Sequence, residues 1–172
     1  MKDVLVVVDM QNDFVNGSLG TDEAKEIVPK VKKFIKSFNG QIYFTRDTHE
    51  ENYLETQEGS ILPVKHCIKN TKGWEIIDEL KPFVSDNVVD KVTFGSKELV
   101  KVLENFNEKD EIKTITIIGL CTDICVISNA LVLKAYFPEV KIKVFDGLCA
   151  GVSPESHDRA LESMKTCQIH VE

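Results

Sequence analysis

The chain predicts a single α/β domain spanning residues 1–172, a three-layer αβα sandwich around a six-stranded, mostly parallel sheet. Three observations predict it. Short apolar runs alternate with helix-patterned segments along all 172 residues. The run at 4–8 is continuous Val and Leu, and that at 114–118 is Ile with two Thr, as in strands covered on both faces. Asp9, Lys91 and Cys125 each lie at or just past the end of such a run, where a parallel sheet gathers ligands along one edge.

Taken in order, Val4-Leu5-Val6-Val7-Val8 is the first strand and ends on Asp9. Residues 22–37 carry Ala24, Ile27, Val28, Val31, Phe34 and Ile35 at helical spacing, with Thr21 as cap and Glu23 in the acidic first turn. Strands follow at 41–45 and 87–90. A helix over 96–106 presents Leu99, Val102, Leu103 and Phe106 as one stripe. The strand at 114–118 runs through a tight turn into a mostly apolar helix at 124–136. A fifth strand occupies 141–145. The helix at 154–166 begins Ser153-Pro154-Glu155, a cap, a first-position proline and an acidic first turn, and a last strand lies at 168–171. Such alternation implies βαβ crossovers. The exception is 46–73, a long polar segment with little periodicity. Inside a compact domain a segment of this kind is usually functional or disordered, and the two of the four histidines it holds favour a functional one.

Bulk properties exclude several classes. A net charge of −7 argues against nucleic acid or an anionic membrane as partner. No apolar run approaches the roughly 20 residues of a membrane span, and the N-terminus lacks the pattern of a secretory signal. The expected location is the cytosol. Five cysteines, an odd number without scaffold spacing, read as reduced thiols with one of them catalytic. Cys149 and Cys167 are expected to be buried near strand ends.

The turn Gly119-Leu120-Cys121-Thr122-Asp123-Ile124-Cys125-Val126 places Cys125 near the start of a helix. There the helix dipole favours a thiolate and free backbone N–H groups can hold an oxyanion. Two small buried thiols at a strand–helix junction account for the spacing equally well. A redox pair is a weaker reading, since three residues separate the two cysteines. Asp9 alone fits a loop cap. A phosphatase nucleophile fits less well, since such sites use Asp-x-Asp and Gln11 occupies the second position. Lys91 alone fits a solvated strand end. Convergence on one sheet edge is what joins the three.

Asp47-Thr48-His49 and His66, with Glu55 and Glu58 between them, supply oxygen and nitrogen donors for one divalent transition metal such as Zn, Fe or Mn. The alternative is a polar loop with exposed histidines. Cys67, beside His66, is a lesser candidate ligand. His157 and His170 read as structural or solvated.

Together, Val8-Asp9-Met10-Gln11-Asn12-Asp13-Phe14, Thr45-Arg46-Asp47-Thr48-His49, Pro63-Val64-Lys65-His66-Cys67, Asp90-Lys91-Val92-Thr93-Phe94 and the Cys121–Cys125 turn resemble the isochorismatase-like cysteine hydrolases, and among them the nicotinamidase branch. The resemblance covers nearly the whole chain. It implies strand order 3-2-1-4-5-6 and a catalytic triad of Asp9, Lys91 and Cys125. It further implies a cis peptide at Leu120-Cys121 and an oxyanion hole from the N–H groups of Cys121 and Cys125. It assigns the metal to Asp47, His49, His66 and a glutamate, for which Glu58 fits better than Glu55. The substrate is then a small-molecule amide, nicotinamide, whose ring nitrogen the metal grips, with no organic cofactor. The family also hints at a homo-oligomer. Cys125 argues for amide chemistry over vinyl-ether hydrolysis, because isochorismatases proper lack the cysteine.

The chain departs from the family pattern where an aromatic residue often precedes a Pro-Pro-His segment. Here it reads Leu62-Pro63-Val64-Lys65-His66, with no aromatic and one extra residue. Phe14, Leu62 and Phe94 are the expected substrate contacts, with Trp74 a further aromatic wall. A ureido or carbamoyl amide is the alternative substrate.

Overall fold

The computed structural model describes all 172 residues, Met1–Glu172. Six strands form one sheet in the order β3-β2-β1-β4-β5-β6, and every pairing is parallel. The strands are β1 (Lys2–Val8), β2 (Gln41–Asp47), β3 (Val88–Lys91), β4 (Ile112–Leu120), β5 (Lys141–Ala150) and β6 (His170–Val171). The helices are α1 (Asn12–Val15), α2 (Asp22–Ser37), α3 (Gln57–Ile61), α4 (Lys97–Asn107), α5 (Ile127–Tyr136) and α6 (Pro154–Thr166).

Side-chain alternation along β1 divides the core into its two layers. Val4, Val6 and Val8 face a cluster built with Leu99 and Leu103 of α4, Ala130 and Leu133 of α5, and Leu161 and Met164 of α6. Leu5 and Val7 face the other cluster, which holds Ala24, Ile27, Val28, Val31 and Ile35 of α2 together with Ile76, Ile77 and Leu80. All five residues from Val4 to Val8 are fully buried, which is why this strand reads as an unbroken apolar run.

Caps set the helix starts. Thr21 accepts the N–H of Ala24 at 3.0 Å, and Ser96 accepts that of Leu99 at 3.0 Å. Ser153 and Ser156 close a reciprocal capping box at the start of α6.

Four features differ from expectation. The helix expected at 124–136 opens with a π-turn, Thr122–Val126, before α5 begins. β5 runs to Ala150 because, after a register shift, its end pairs with Gly119 and Leu120 of β4. The 46–73 segment holds α3 and a short 3₁₀ turn, Tyr53–Glu55. Cys167 is exposed, not buried, since it caps the end of α6 before the chain reaches β6.

The register brings the strand ends level. Val8 pairs with Gly119 of β4, and Asp47 with Lys91 of β3. Gly119 has φ +115°, and a Cβ on it would stand 2.2 Å from the Val8 carbonyl oxygen. Only glycine lets β4 approach β1 this closely just before the cysteine turn.

Candidate active site

Asp9 leaves β1 with φ +47°, a left-handed conformation that aspartate tolerates better than most residues. Both the backbone carbonyl and the hydroxyl of Thr45 accept its N–H at 3.2 Å, and the hydroxyl donates to Asp9 Oδ1 at 2.6 Å. Its other oxygen, Oδ2, lies 2.7 Å from Lys91 Nζ. The same ammonium reaches Cys125 Sγ at 3.3 Å and Asp47 Oδ1 at 3.3 Å. Asp9 and Lys91 are fully buried, Asp47 is 2 % exposed and Cys125 4 %. The structure thus brings Asp9, Lys91 and Cys125 from three strand ends into one cluster, with Asp47 attached.

The electrostatics of the cluster follow from burial and one positive charge. Burial pushes the Asp9 carboxyl above its ordinary range against the pull of Lys91. Burial also drives the Cys125 thiol well up, and the neighbouring Asp9 charge adds to this while Lys91 opposes it. Burial works against the Lys91 ammonium, but Asp9, Cys125 and Asp47 together outweigh it and hold the proton firmly. These directions leave Cys125 as a neutral thiol and Lys91 as a charged ammonium in the resting cluster. This differs from the thiolate that a helix dipole alone would favour, because Cys125 sits inside a buried π-turn where desolvation dominates.

The Leu120–Cys121 peptide is cis. The Cys121 carbonyl accepts the N–H groups of Ile124 and Val126 at 3.1 and 3.0 Å, which closes the turn. The N–H of Cys121 itself donates to no acceptor in the protein.

Beside this cluster, Asp47, His49, Glu58 and His66 each turn one donor atom inward, all within 4.8 Å of one another. His49 Nε2 is 3.0 Å from Asp47 Oδ2 and 3.6 Å from Glu58 Oε1; His66 Nε2 is 3.6 and 3.9 Å from the same two atoms. Donor atoms about 2.1 Å from a central ion at tetrahedral angles stand about 3.4 Å apart, so the set fits a transition-metal ion. His66 Nδ1 is held 2.8 Å from the Val64 carbonyl, which orients the ring and leaves Nε2 for a metal. Burial would raise the Asp47 carboxyl, but His49, His66 and Lys91 hold it far below the usual range. Of the two candidate glutamates, Glu58 joins the set, while Glu55 is exposed on its 3₁₀ turn. Gly59 makes that possible: a Cβ there would fall 2.0 Å from the Tyr53 carbonyl oxygen.

Phe14 packs its ring 5.6 Å from that of His66. Leu62 and Phe94 are 38 % and 43 % exposed, on the segments that follow β2 and β3. Trp74 lies under the Arg46 guanidinium at 3.6 Å and donates to the Thr48 hydroxyl at 2.9 Å, so it braces the start of the segment that carries His49, Glu58 and His66.

Several supporting residues escaped the sequence reading. Gln11, fully buried, brackets the backbone of Asp47, donating to its carbonyl at 2.9 Å and accepting its N–H at 2.8 Å. Tyr53, also fully buried, packs against His49 and His66 at 4.6 and 4.9 Å between ring centres. Asn129 donates to the carbonyls of Cys125 at 2.8 Å and Phe94 at 3.0 Å, tying the cysteine turn to the Phe94 segment. A polar residue within the apolar run 124–133 was the available signal for Asn129.

The isochorismatase domain model matches residues 3–172, and the chain belongs to that family of hydrolases. Its relatives include the nicotinamidase of Schizosaccharomyces pombe, 25 % identical over 97 % of this chain and 91 % of that protein. Among solved structures, a pyrazinamidase of Pyrococcus horikoshii in complex with zinc superposes with a TM-score of 0.82 at 30 % identity, over 100 % of this chain and 99 % of that one. An N-carbamoylsarcosine amidase of Thermoplasma acidophilum superposes with a TM-score of 0.79 at 26 % identity, over 100 % and 96 %.

Proposed function

We propose that the protein is a nicotinamidase, a cysteine amidohydrolase that converts nicotinamide to nicotinate and ammonia. The observation that carries this reading is the single buried ammonium of Lys91, within 3.3 Å of Cys125 Sγ and of Asp47 Oδ1 and 2.7 Å from Asp9 Oδ2. It joins nucleophile, base and metal set in one electrostatic unit. Nicotinamidase and pyrazinamidase relatives at full-length coverage support the choice of a ring-nitrogen amide.

In this mechanism Asp9 takes the thiol proton as Cys125 Sγ forms a bond to the carboxamide carbon. Lys91 offsets whichever of the two carries the negative charge, so proton transfer changes little in the net charge of the cluster. The carbonyl oxygen becomes an oxyanion between the N–H groups of Cys121 and Cys125, where one donor is typically worth about 3 kcal/mol. Asp9 returns its proton to the departing nitrogen, ammonia leaves, and an acyl thioester remains on Cys125. Asp9 then accepts a proton from water, whose oxygen attacks the thioester carbon; the C–S bond breaks to release nicotinate, and Asp9 returns its proton to Cys125 Sγ. Asp47, His49, Glu58 and His66 would hold a divalent ion, which when bound supplies a Lewis-acid contact for the ring nitrogen and orients the substrate. Phe14, Leu62 and Phe94 are assigned to the substrate walls.

The deciding experiment measures ammonia release from nicotinamide, pyrazinamide and ureido or carbamoyl compounds, alongside elemental analysis of the purified protein. Turnover of the pyridine amide with about one equivalent of metal is expected. Hydrolysis of ureido compounds alone, by metal-free protein, would overturn the assignment in favour of the related carbamoyl amidases.

A further inference from the structure

The two residues that open the cysteine turn are both held from the corner between β5 and α6. Thr122 is fully buried, and its hydroxyl lies 2.7 Å from His157 Nδ1. His157 Nε2 lies 2.8 Å from Asp146 Oδ1. The Asp123 carboxylate accepts the N–H of Val152 at 3.1 Å. His157 itself is tightly placed. It sits one residue past the capping box of α6, and a Cβ on Gly151 would come within 2.8 Å of its own Cβ.

The proton order follows from the partners. Asp146 accepts, so Nε2 carries a hydrogen, and the contact between Nδ1 and the Thr122 hydroxyl completes the chain. Carboxylate, imidazole and hydroxyl in this order also describe a serine-hydrolase triad. Here the hydroxyl is fully buried within the cysteine turn, and the chain is read as a brace on that turn. What Thr122 does control is the turn. Its carbonyl accepts the N–H of Ile127, the wide bond that closes Thr122–Val126 around Cys125.

We infer that His157, oriented by Asp146, is a positioning residue: through Thr122 it sets where Cys125 Sγ stands relative to Lys91 and Asp9. The inference rests on the reading of Cys125 as nucleophile. Misplacement of a reacting atom by about 1 Å can cost on the order of 100-fold in rate. Release of one anchor of two is expected to lower kcat roughly tenfold or more, with KM within about twofold.

The test compares His157→Ala, His157→Asn and Thr122→Val with the wild type. The asparagine amide oxygen stands near the place of Nδ1, so that variant keeps an acceptor for Thr122 and gives up Asp146. Three quantities are read: kcat and KM for nicotinamide, the rate of Cys125 alkylation by iodoacetamide in free enzyme, followed by mass spectrometry, and the urea midpoint. His157→Ala and Thr122→Val are expected to share a lowered kcat and a severalfold altered alkylation rate, and His157→Asn to recover most of both. Wild-type kcat and alkylation in His157→Ala, with only the midpoint lowered, would overturn the inference. So would His157→Asn as damaged as His157→Ala. If His157→Ala does not fold, Thr122→Val decides alone, and wild-type values there reject the inference. Absence of nicotinamide turnover in the wild type would count against the proposed function instead, leaving the alkylation series to judge the anchor.

Discussion

Replacing Lys91 with methionine should expose how much of this site is held by one charge. The side chain is fully buried, so methionine keeps most of its volume and removes only the ammonium. Asp9 Oδ2 loses a partner at 2.7 Å. At an effective dielectric constant of 20 that contact is worth about 6 kcal/mol of gross Coulomb energy. Asp47 is less affected, since His49 remains 3.0 Å away. Removing one member of a buried pair typically costs about 3–5 kcal/mol, because the remaining carboxylate is either uncompensated or protonated.

Asp9 will take the second course, its carboxyl already being raised by burial with the lysine in place. The folded protein then binds a proton that the unfolded chain releases near the ordinary aspartate pKa. Between that value and the further-raised folded one, stability falls as pH increases. Urea unfolding at pH 5 and at pH 7 measures this, and the deficit relative to wild type should be larger at pH 7. Ammonia release at pH 7 should fall by about 10³-fold or more, since base and charge compensation are lost together, at about 1.4 kcal/mol per decade. A variant whose stability deficit is the same at both pH values, or which keeps a tenth of wild-type turnover, would refute the charge argument.

Three further outcomes are expected. Cys125→Ala should abolish ammonia release with an unchanged circular dichroism spectrum, whereas Cys121→Ala should stay within a few-fold of wild type, because only its backbone is assigned a role. His49→Ala should lower bound metal by elemental analysis and raise KM for nicotinamide, and a chelated, metal-free wild type with full activity would contradict this. In the folded protein Cys167 should react first with a thiol reagent. Cys121 and Cys149, both pushed up to about 12 by burial, should react only slowly until urea is added.

The physics of apolar burial made most of the fold legible. β1 and β4 are apolar on both faces, so periodicity alone exposes them, and the parallel order then gathers Asp9, Lys91 and Cys125. The Thr21 and Ser153 caps were readable because capping acts between neighbours in sequence. The acceptor-and-donor work of Gln11, Thr45 and Asn129 was hidden, since bonds such as Gln11 to Asp47 span 36 residues and leave no local pattern. Asp146-Gly147 concealed the second half of β5, whose pairing with the end of β4 is decided by partner and not by composition. Cys167 was misjudged because a small apolar residue near a strand is usually buried, and nothing local reveals that this one sits on the exposed end of a helix.

Asp47 stands in both halves of the site, and that double membership limits how the molecule can change. His49, Glu58 and His66 all belong to the one excursion between β2 and β3, while Asp9, Lys91 and Cys125 lie outside it. The excursion resembles an exchangeable cassette. Under the proposed function, rewriting residues 50–73 should change which amide is admitted while leaving Asp9, Lys91 and Cys125 in place. Asp47 is the hinge pin of that exchange. It faces Lys91 on one side and two imidazoles on the other, so under the proposed function a substitution there should alter KM and kcat together. Variation in substrate range should therefore accumulate downstream of Asp47 and stop at it.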